Sequence, residues 1–144
     1  MIRPALLATL LAFATTLHAG PPSSDALVTC HRAALDLAGA WTNDGFRLRE
    51  RSWAGILPAD KPALARVNLL AGNRYWFSAA TNAASTTLST RIFTESGTPV
   101  PAETWQDGPL SAAGFAPAES GCYLIAVSES RGTPVPFCLV YSYK

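Results

Sequence analysis

Short segments with the character of β-strands, each bounded by turn residues, follow one another from Gly45 onward. They are rich in β-branched and aromatic side chains, and Gly, Pro, Asn and Asp stand between them. Strands at intervals of about 8–12 residues are typical of an antiparallel sandwich or barrel. We therefore predict a mainly β fold, an antiparallel, jelly-roll-like β-sandwich of about eight strands. The predicted strands cover residues 45–51, 64–70, 74–79, 87–93, 100–105, 113–116, 122–127 and 136–143.

Turn chemistry adds two predictions about strand positions. An Ala-Gly-Asn turn separates residues 64–70 from 74–79, so these two strands are predicted to pair as a hairpin. Pro99 and Pro101 accompany the strand at 100–105. Because proline has no backbone N–H to donate, we expect this strand at the edge of a sheet.

An amphipathic helix is predicted ahead of the strands, over residues 25–38. Ser23 and Ser24 offer N-cap side chains. Apolar residues then recur at three- and four-residue spacing, which is the period of one helical face. We expect this helix to cover one face or one open end of the sandwich. The apolar positions are Leu27, Cys30, Ala34 and Leu37.

The N-terminal segment has the parts of a secretory signal peptide. Arg3 precedes an apolar stretch over residues 5–17, and a small-residue ending stands before Gly20. This stretch is shorter than the roughly 20 residues that a transmembrane helix needs. The sequence thus predicts a signal peptide over residues 1–19 and a single exported domain over 20–144. We expect the mature chain in the periplasm or outside the cell, without a membrane span.

Composition supports a well-packed core and excludes one class of partner. Of the 144 residues, 49% are hydrophobic and 15% are charged, and the formal net charge is +1. A chain this apolar can bury a core instead of remaining disordered. A net charge this close to zero provides no basic surface for nucleic acid, so no nucleic-acid partner is expected.

Three cysteines, Cys30, Cys122 and Cys138, follow the predicted signal peptide. Disulfides form and persist in an oxidising compartment. An odd count allows one internal bridge with three alternative pairings. The helix that carries Cys30 could dock over the strand of either other cysteine, so the sequence does not decide the pairing. We favour Cys122 with Cys138, because their strands are predicted to be neighbours. The dispersed cysteines lack the ligand spacing of a zinc site, so no metal is expected.

No residue pattern indicates catalysis. His31 is the one histidine of the predicted mature chain. It cannot act on Cys30, because adjacent helical side chains diverge by about 100°. No G-x-S-x-G motif marks a serine nucleophile, no glycine-rich loop marks a phosphate site, and Asp36 and Asp44 are interpreted as capping and turn residues. We expect a non-enzymatic protein without a cofactor.

Strand alternation assigns side chains to faces. Arg47, Arg49 and Arg51 share parity on the first predicted strand and so project from one side of it. This row is a solvated sheet face or a docking strip for an acidic partner or a polysaccharide. Tyr141 shares the parity of Leu139, which predicts one mostly buried face for the last strand.

Exposed aromatic side chains are the best candidates for ligand contact. Indole rings offer large, flat contact areas at small entropic cost, and sugar rings stack on such surfaces. Trp105 is the first candidate, because polar residues follow it in a predicted loop. Trp53 is the second, because it breaks the alternation of its strand. The remaining tryptophans are Trp41 and Trp76.

Three short motifs follow in order within residues 64–144. An A-G-x-x-Y turn leads into a strand at 71–75, an E-S-G turn follows at 95–97, and F-x-P-x-x-S-G-x-Y-x-x-x-V spans 115–127. This order resembles the bacterial pre-peptidase C-terminal (PPC-like) type of secreted β-sandwich. The resemblance implies a non-catalytic appendage or a stand-alone exported module for targeting, secretion or binding. Many such domains hold calcium on an aspartate-bearing segment, but residues 84–89 carry no carboxylate, so no calcium site is implied.

These patterns predict an exported, non-enzymatic β-sandwich that acts as a binding or accessory module. In its sharper form, the protein binds carbohydrate through exposed aromatic side chains. Two alternatives stay open. One is a small secreted hydrolase, which needs His31 near a serine and a carboxylate. The other is an assembly subunit that uses the edge strand at 100–105 for strand addition. The expected partner is a polysaccharide or another exported protein.

Overall fold

The computed structural model describes residues 21–144, so the predicted signal peptide over 1–19 lies outside the described residues. The described chain forms one α-helix, a 3₁₀ turn over Thr42–Asp44 and eight strands. This confirms the predicted mainly β fold with an N-terminal helix. The elements are α1 (Ser24–Gly39), β1 (Arg47–Leu57), β2 (Ala63–Leu69), β3 (Tyr75–Ala80), β4 (Leu88–Thr94), β5 (Glu103–Asp107), β6 (Leu110–Phe115), β7 (Gly121–Glu129) and β8 (Val135–Tyr143).

The strands form two antiparallel sheets that pack as a sandwich. The larger sheet has the order β1-β8-β3-β6-β5, and the smaller sheet has the order β2-β7-β4. Strands pair from the two ends of the chain inward, as β1–β8, β2–β7 and β3–β6. This nested pairing is the pattern of a long hairpin that wraps into a jelly roll. β5 departs from this nesting, since it pairs with β6 at the edge of the larger sheet. The predicted jelly-roll-like β-sandwich is confirmed.

Two predictions about strand neighbours are wrong. β2 and β3 form no hairpin within the described chain, because β2 pairs with β7 in the smaller sheet whereas β3 pairs with β6 and β8 in the larger. β7 and β8 also lie in different sheets. A turn sequence encodes only the reversal of the chain. The connections over 70–74 and 130–134 are long enough to cross the roughly 10 Å between packed sheets.

An apolar core fills the space between the sheets, and β8 runs through its centre. Leu139 and Tyr141 are both buried in this core. This confirms the prediction that the face of the last strand that carries them is buried. Cys138 and Val140 on the opposite face of β8 are also buried, because helix α1 covers them. Burial on both faces explains why β8 is an almost unbroken apolar run in the sequence.

Helix α1 packs on the outer face of the larger sheet. It extends one residue beyond the predicted helix at each end, and the Oγ of Ser23 accepts a hydrogen bond from the Ala26 N–H at 3.2 Å as an N-cap. Its contact face consists of small residues, which allow the helix to approach the sheet closely. The buried contact residues are Cys30, Ala34 and Ala38 on the helix and Ala80, Cys138 and Val140 on the sheet.

No helix within residues 21–144 combines the length and the apolar character that crossing a membrane requires.

The edge strand β1 is longer than predicted and irregular. It continues to Leu57. Leu48 pairs with Ser142 and Ser52 with Val140, so four steps along β1 face two steps along β8. Such a bulge bends the strand and interrupts its pairing.

The arginines of β1 are exposed, and two of them lie over aromatic rings. The guanidinium of Arg49 is 4.9 Å from the centre of the Tyr143 ring, and that of Arg51 is 4.8 Å from the centre of the Trp53 ring. Cation–π attraction favours these positions. Part of the predicted row of arginines is therefore directed onto the protein's own aromatic rings.

The opposite edge of the larger sheet is β5, which confirms the predicted edge position. The strand begins at Glu103, later than predicted, because Pro99 and Pro101 cannot donate backbone hydrogen bonds to a ladder. All of its residues are exposed.

Candidate functional site

Two indole rings stack on the outer face of the larger sheet, next to helix α1. Trp76 on β3 lies opposite Gly114 on β6, and a Cβ at Gly114 would come within 2.8 Å of the indole. The glycine therefore leaves room for the ring to lie against the sheet. Trp41 stacks on Trp76 with ring centroids 3.9 Å apart and 7° between the ring planes.

The chain after helix α1 positions Trp41. The helix ends at Gly39, the 3₁₀ turn over Thr42–Asp44 follows, and Gly45 then redirects the chain toward β1. Gly45 has a φ of 86°, a left-handed conformation that favours glycine. The Nε1 of Trp41 donates a hydrogen bond to the Oγ of buried Ser78 at 3.4 Å. The indole is thus held by stacking and by a polar contact.

Two adjoining cavities of about 320 and 490 Å³ open along this stack. Both are bordered by Phe46, Arg74, Trp76 and Glu103, and we call the combined surface the Trp76 cleft. The smaller cavity is mainly apolar in character, and the larger is mainly polar. The smaller cavity adds Pro101, Ala102 and Phe115, and the larger adds Trp41, Asn43, Asp44 and Lys144.

Charged side chains of both signs face the Trp76 cleft. Arg74 and Glu103 are exposed and border both cavities. Neither is in an ion pair, since the one ion pair within residues 21–144 joins Arg66 to Glu95. The guanidinium can therefore donate hydrogen bonds to a ligand, and the carboxylate can accept them.

Lys144, which follows β8, stabilises one end of the Trp76 cleft through several contacts. It exchanges two backbone hydrogen bonds of 2.9 Å with Arg74, and its Nζ donates to the carbonyl oxygen of Asp44 at 2.7 Å. The same ammonium lies 5.7 Å from the centre of the Phe46 ring. These contacts join the start of β3, the 3₁₀ turn and the end of β8, so three separate parts of the chain support the cleft.

Trp105 extends the aromatic surface along β5. It pairs with Ala112, while Glu103 pairs with Gly114. Side chains two residues apart share a face of the sheet, so Trp105 and Glu103 lie on the same outer face as Trp76. Trp105 is 41% exposed, as expected, and β5 continues to Asp107, through the residues predicted to form a loop after Trp105. Its role as a ligand contact stays a prediction.

Trp53 lies on the inner side of β1. It is half-buried and packs against the apolar core. Its ring centre is 5.8 Å from that of Tyr141, and Arg51 lies over it. These intramolecular contacts occupy the ring, so the exposed setting expected for Trp53 is not what the structure shows.

The structure separates the two cysteines of the favoured disulfide. Cys122 on β7 lies opposite Asn68 in the smaller sheet, whereas Cys138 on β8 lies under α1 in the larger sheet. All three cysteines are free thiols. The predicted Cys122–Cys138 bridge needs β7 and β8 to be neighbours, and they are not. Cys138 lies instead in the same buried cluster as Cys30.

The polar residues considered for catalysis or metal binding are dispersed. His31, Asp36 and Asp44 are all exposed, the first two on α1 and the third in the 3₁₀ turn. Within the described residues, no group of three or more His, Cys, Asp and Glu side chains is placed to hold a metal ion.

The sequence did not single out Arg74, Trp76 or Glu103 as site residues. One usable signal was Gly114, because a glycine inside a strand often marks the close approach of another group. The identity of that group follows only from the pairing of β3 with β6.

No family model matches the chain and no curated protein matches it significantly, so the geometry of the Trp76 cleft is what bears on function.

Proposed function

We propose that this protein is an exported, non-enzymatic binding module that holds a carbohydrate in the Trp76 cleft. The observation that carries the proposal is the presence, on one sheet face, of stacked indole rings beside Arg74 and Glu103. Ligand sites commonly combine aromatic walls with a few placed polar groups. Sugars suit such sites, because their C–H faces pack on aromatic rings while their hydroxyl groups exchange hydrogen bonds.

The order of the stack indicates which rings a ligand reaches. Trp76 lies between the sheet at Gly114 and the ring of Trp41, so it offers mainly its edge to the cleft. Trp41 is the outer ring of the stack and is half-buried. The accessible part of Trp41 and the exposed ring of Trp105 are therefore the flat apolar surfaces on this face.

Size and charge favour a small, polar, uncharged ligand. Volumes of about 320 and 490 Å³ lie in the range of small-molecule sites. Arg74 and Lys144 are balanced by Asp44 and Glu103 around the larger cavity. A balanced set of charges creates no strong potential of one sign, so the cleft has no strong preference for an anion or a cation.

The predicted signal peptide and the resemblance to PPC-like sandwiches support the exported and accessory parts of the proposal. A non-catalytic sandwich outside the cytoplasm meets polysaccharides of the envelope and the surroundings. This setting agrees with a ligand recognised through aromatic and polar contacts.

A glycan-array screen of the purified protein, followed by titration calorimetry with the strongest ligand, tests the proposal. We expect Trp105→Ala and Glu103→Gln each to weaken binding about 10-fold. Loss of an aromatic contact or of a hydrogen bond to a charged group costs about 1–2 kcal/mol, and 1.4 kcal/mol corresponds to about 10-fold in Kd.

Leu64→Ala and Glu50→Gln are the matched controls. Leu64→Ala truncates an exposed apolar side chain, and Glu50→Gln removes the charge of an exposed acidic one. Both residues lie away from the Trp76 cleft, and each variant should bind like the wild-type protein. A screen without any bound glycan, or an equal loss of affinity in the controls, would overturn the proposal.

A second candidate function, assembly with another exported protein, is favoured by one observation. Every residue of β5 is exposed and the strand forms an edge of the larger sheet. An exposed edge offers unpaired backbone groups to which an incoming strand can add.

A further inference from the structure

The outer face of the smaller sheet, unlike that of the larger, carries no helix within residues 21–144. Side chains alternate along a strand, so the residues of β2, β7 and β4 that do not enter the core point outward on this face. Among them, Leu64 on β2 is 59% exposed, and Leu124 on β7 and Phe93 on β4 are half-buried. Clustered apolar side chains on a surface mark an interaction site more often than scattered ones do.

A depression lies between these side chains. Leu64 and Arg91 both pair with Ala126 on the central strand, one from each side, and Phe93 pairs with Leu124 in the next outward-facing row. Because Ala126 is small, its larger neighbours extend beyond it. They border a mainly apolar cavity of about 390 Å³, which we call the Ala126 pocket. Volumes in this range hold small-molecule ligands.

Arg91 is the one charged side chain among the described residues that border the Ala126 pocket. It is exposed, and its guanidinium lies 5.4 Å from the centre of the Phe93 ring. It is in no ion pair within the described chain, where the one ion pair joins Arg66 to Glu95. An unpaired guanidinium beside an apolar surface complements a ligand that has a carboxylate at one end and a hydrocarbon chain at the other.

We propose that the Ala126 pocket binds a free fatty acid, with the hydrocarbon chain against the apolar side chains and the carboxylate on Arg91. Burial of CH₂ groups supplies affinity. The guanidinium donates two hydrogen bonds to the carboxylate and thereby fixes the orientation of the ligand. The pocket and the Trp76 cleft lie on different sheets, so this second site goes beyond the proposed glycan binding and does not depend on it.

Titration calorimetry with octanoate and decanoate, both below the concentrations at which they form micelles, tests the proposal. We expect one ligand per protein molecule. Decanoate should bind about 4- to 15-fold more tightly than octanoate, because it buries two further CH₂ groups. Absence of binding by either carboxylate would overturn the proposal.

Arg91→Gln tests the contact with the carboxylate. It should weaken octanoate binding about 3- to 10-fold and leave the binding of 1-octanol, which carries no charge, unchanged. Arg49→Gln is the matched control, since it removes an exposed guanidinium that also lies over an aromatic ring, but on β1. It should bind octanoate like the wild-type protein. Equal weakening in the two variants, or an equal effect of Arg91→Gln on octanoate and 1-octanol, would contradict the proposed site.

Ala126→Leu tests the depression, because it fills the space while adding apolar surface. We expect it to weaken decanoate binding at least about 10-fold, whereas a merely apolar surface would bind as well as before or better. Urea unfolding checks that the variant is folded. If it is not, Leu64→Ala decides: it should weaken decanoate binding about 3-fold and still bind glycan normally, because Leu64 lies away from the Trp76 cleft.

Two other occupants of this face would be recognised in the same experiments. Sedimentation velocity would show a wild-type dimer that takes up no decanoate if the face joined two copies of the chain. Vesicles of anionic phospholipid would bind the protein, and decanoate would not, if the face met a membrane surface. Either result would overturn the fatty-acid site.

Discussion

At the scale of single residues, the absence of a side chain at Gly114 decides where the Trp76 ring lies. A Cβ at this position would lie 2.8–3.0 Å from three atoms of the indole ring, whereas a Cβ at Gly55 in β1 would have no neighbouring atom within 4 Å. Neither glycine has a positive φ. The two positions therefore differ in the space around them and not in backbone strain.

Gly114→Ala is expected to destabilise the protein by about 1–3 kcal/mol, because overpacking forces a ring or the backbone to move. Displacement of Trp76 should also weaken glycan binding, since Trp41 stacks on it. Urea unfolding measures the first effect and calorimetry the second. Gly55→Ala is the control and should be neutral or slightly stabilising. Equal stability of the two variants would contradict the close packing of Trp76.

At the scale of elements, one carboxylate organises the connection between β7 and β8. Glu129 accepts hydrogen bonds from the Thr86 hydroxyl at 2.9 Å and from the backbone N–H groups of Arg131 and Thr133 at 2.8 and 2.9 Å. Burial opposes ionisation, but these hydrogen bonds outweigh it and hold the pKa of Glu129 below its ordinary value. The connection between β3 and β4, which carries Thr86, is thereby joined to this turn.

Stability should depend on pH through Glu129. Its pKa is lower in the folded than in the unfolded protein, so the carboxylate stabilises the fold above the ordinary pKa of 4.5. This contribution disappears as the pH falls through the folded-state pKa. We expect Glu129→Gln to lower the free energy of unfolding by about 1–2 kcal/mol at neutral pH, with a smaller difference from wild type in acid.

Urea unfolding across a pH series measures this difference, and Glu50→Gln, exposed on β1, should follow the wild-type curve. A loss in Glu129→Gln that stays constant from neutral to acid pH would show that the charge of the carboxylate is not what stabilises the turn.

At the scale of the whole molecule, the two edges of the larger sheet are protected to different degrees. β1 carries a bulge and several arginines, which are features that discourage pairing with another chain. β5 pairs with β6 in an unbroken register, and its outer edge is exposed. Strand addition to the larger sheet should therefore occur at β5.

We expect any strand-mediated association to be lost when Thr104→Lys and Gln106→Lys are combined, because added positive charges on β5 disfavour edge pairing. Sedimentation velocity over a range of concentrations measures it. Glu50→Lys on β1 is the control and should associate like the wild-type protein. If the wild-type protein stays monomeric at every concentration, self-assembly through β5 is ruled out. That result would not bear on the proposed binding function.

Several features of the fold could be predicted because they depend on neighbouring residues. Ser23 and the apolar spacing after it predicted helix α1 to within one residue at each end. Alternation predicted the buried face of β8 around Tyr141, and two prolines predicted the edge position of β5. Exposure of Trp105 was also predicted, although β5 continues to Asp107, where a loop was expected.

The candidate site could not be predicted in the same way. Trp41, Trp76, Glu103 and Gly114 come from the turn after α1 and from three strands, and they meet only because β3, β6 and β5 are neighbours in one sheet. The same holds for Cys138 on β8, which packs under helix α1, whereas the preceding strand β7 lies in the other sheet. Local patterns contain no information about such partners.

The sequence by itself determined the type, the approximate extent and the buried face of most elements, because capping, backbone sterics and period-2 burial act over a few residues. Only the tertiary structure decided which strands pair, that Cys30 and Cys138 share a buried cluster, and that two tryptophans stack above Gly114. These outcomes depend on contacts between distant parts of the chain. A turn sequence reverses the chain without encoding whether the next strand stays in its sheet or crosses to the other.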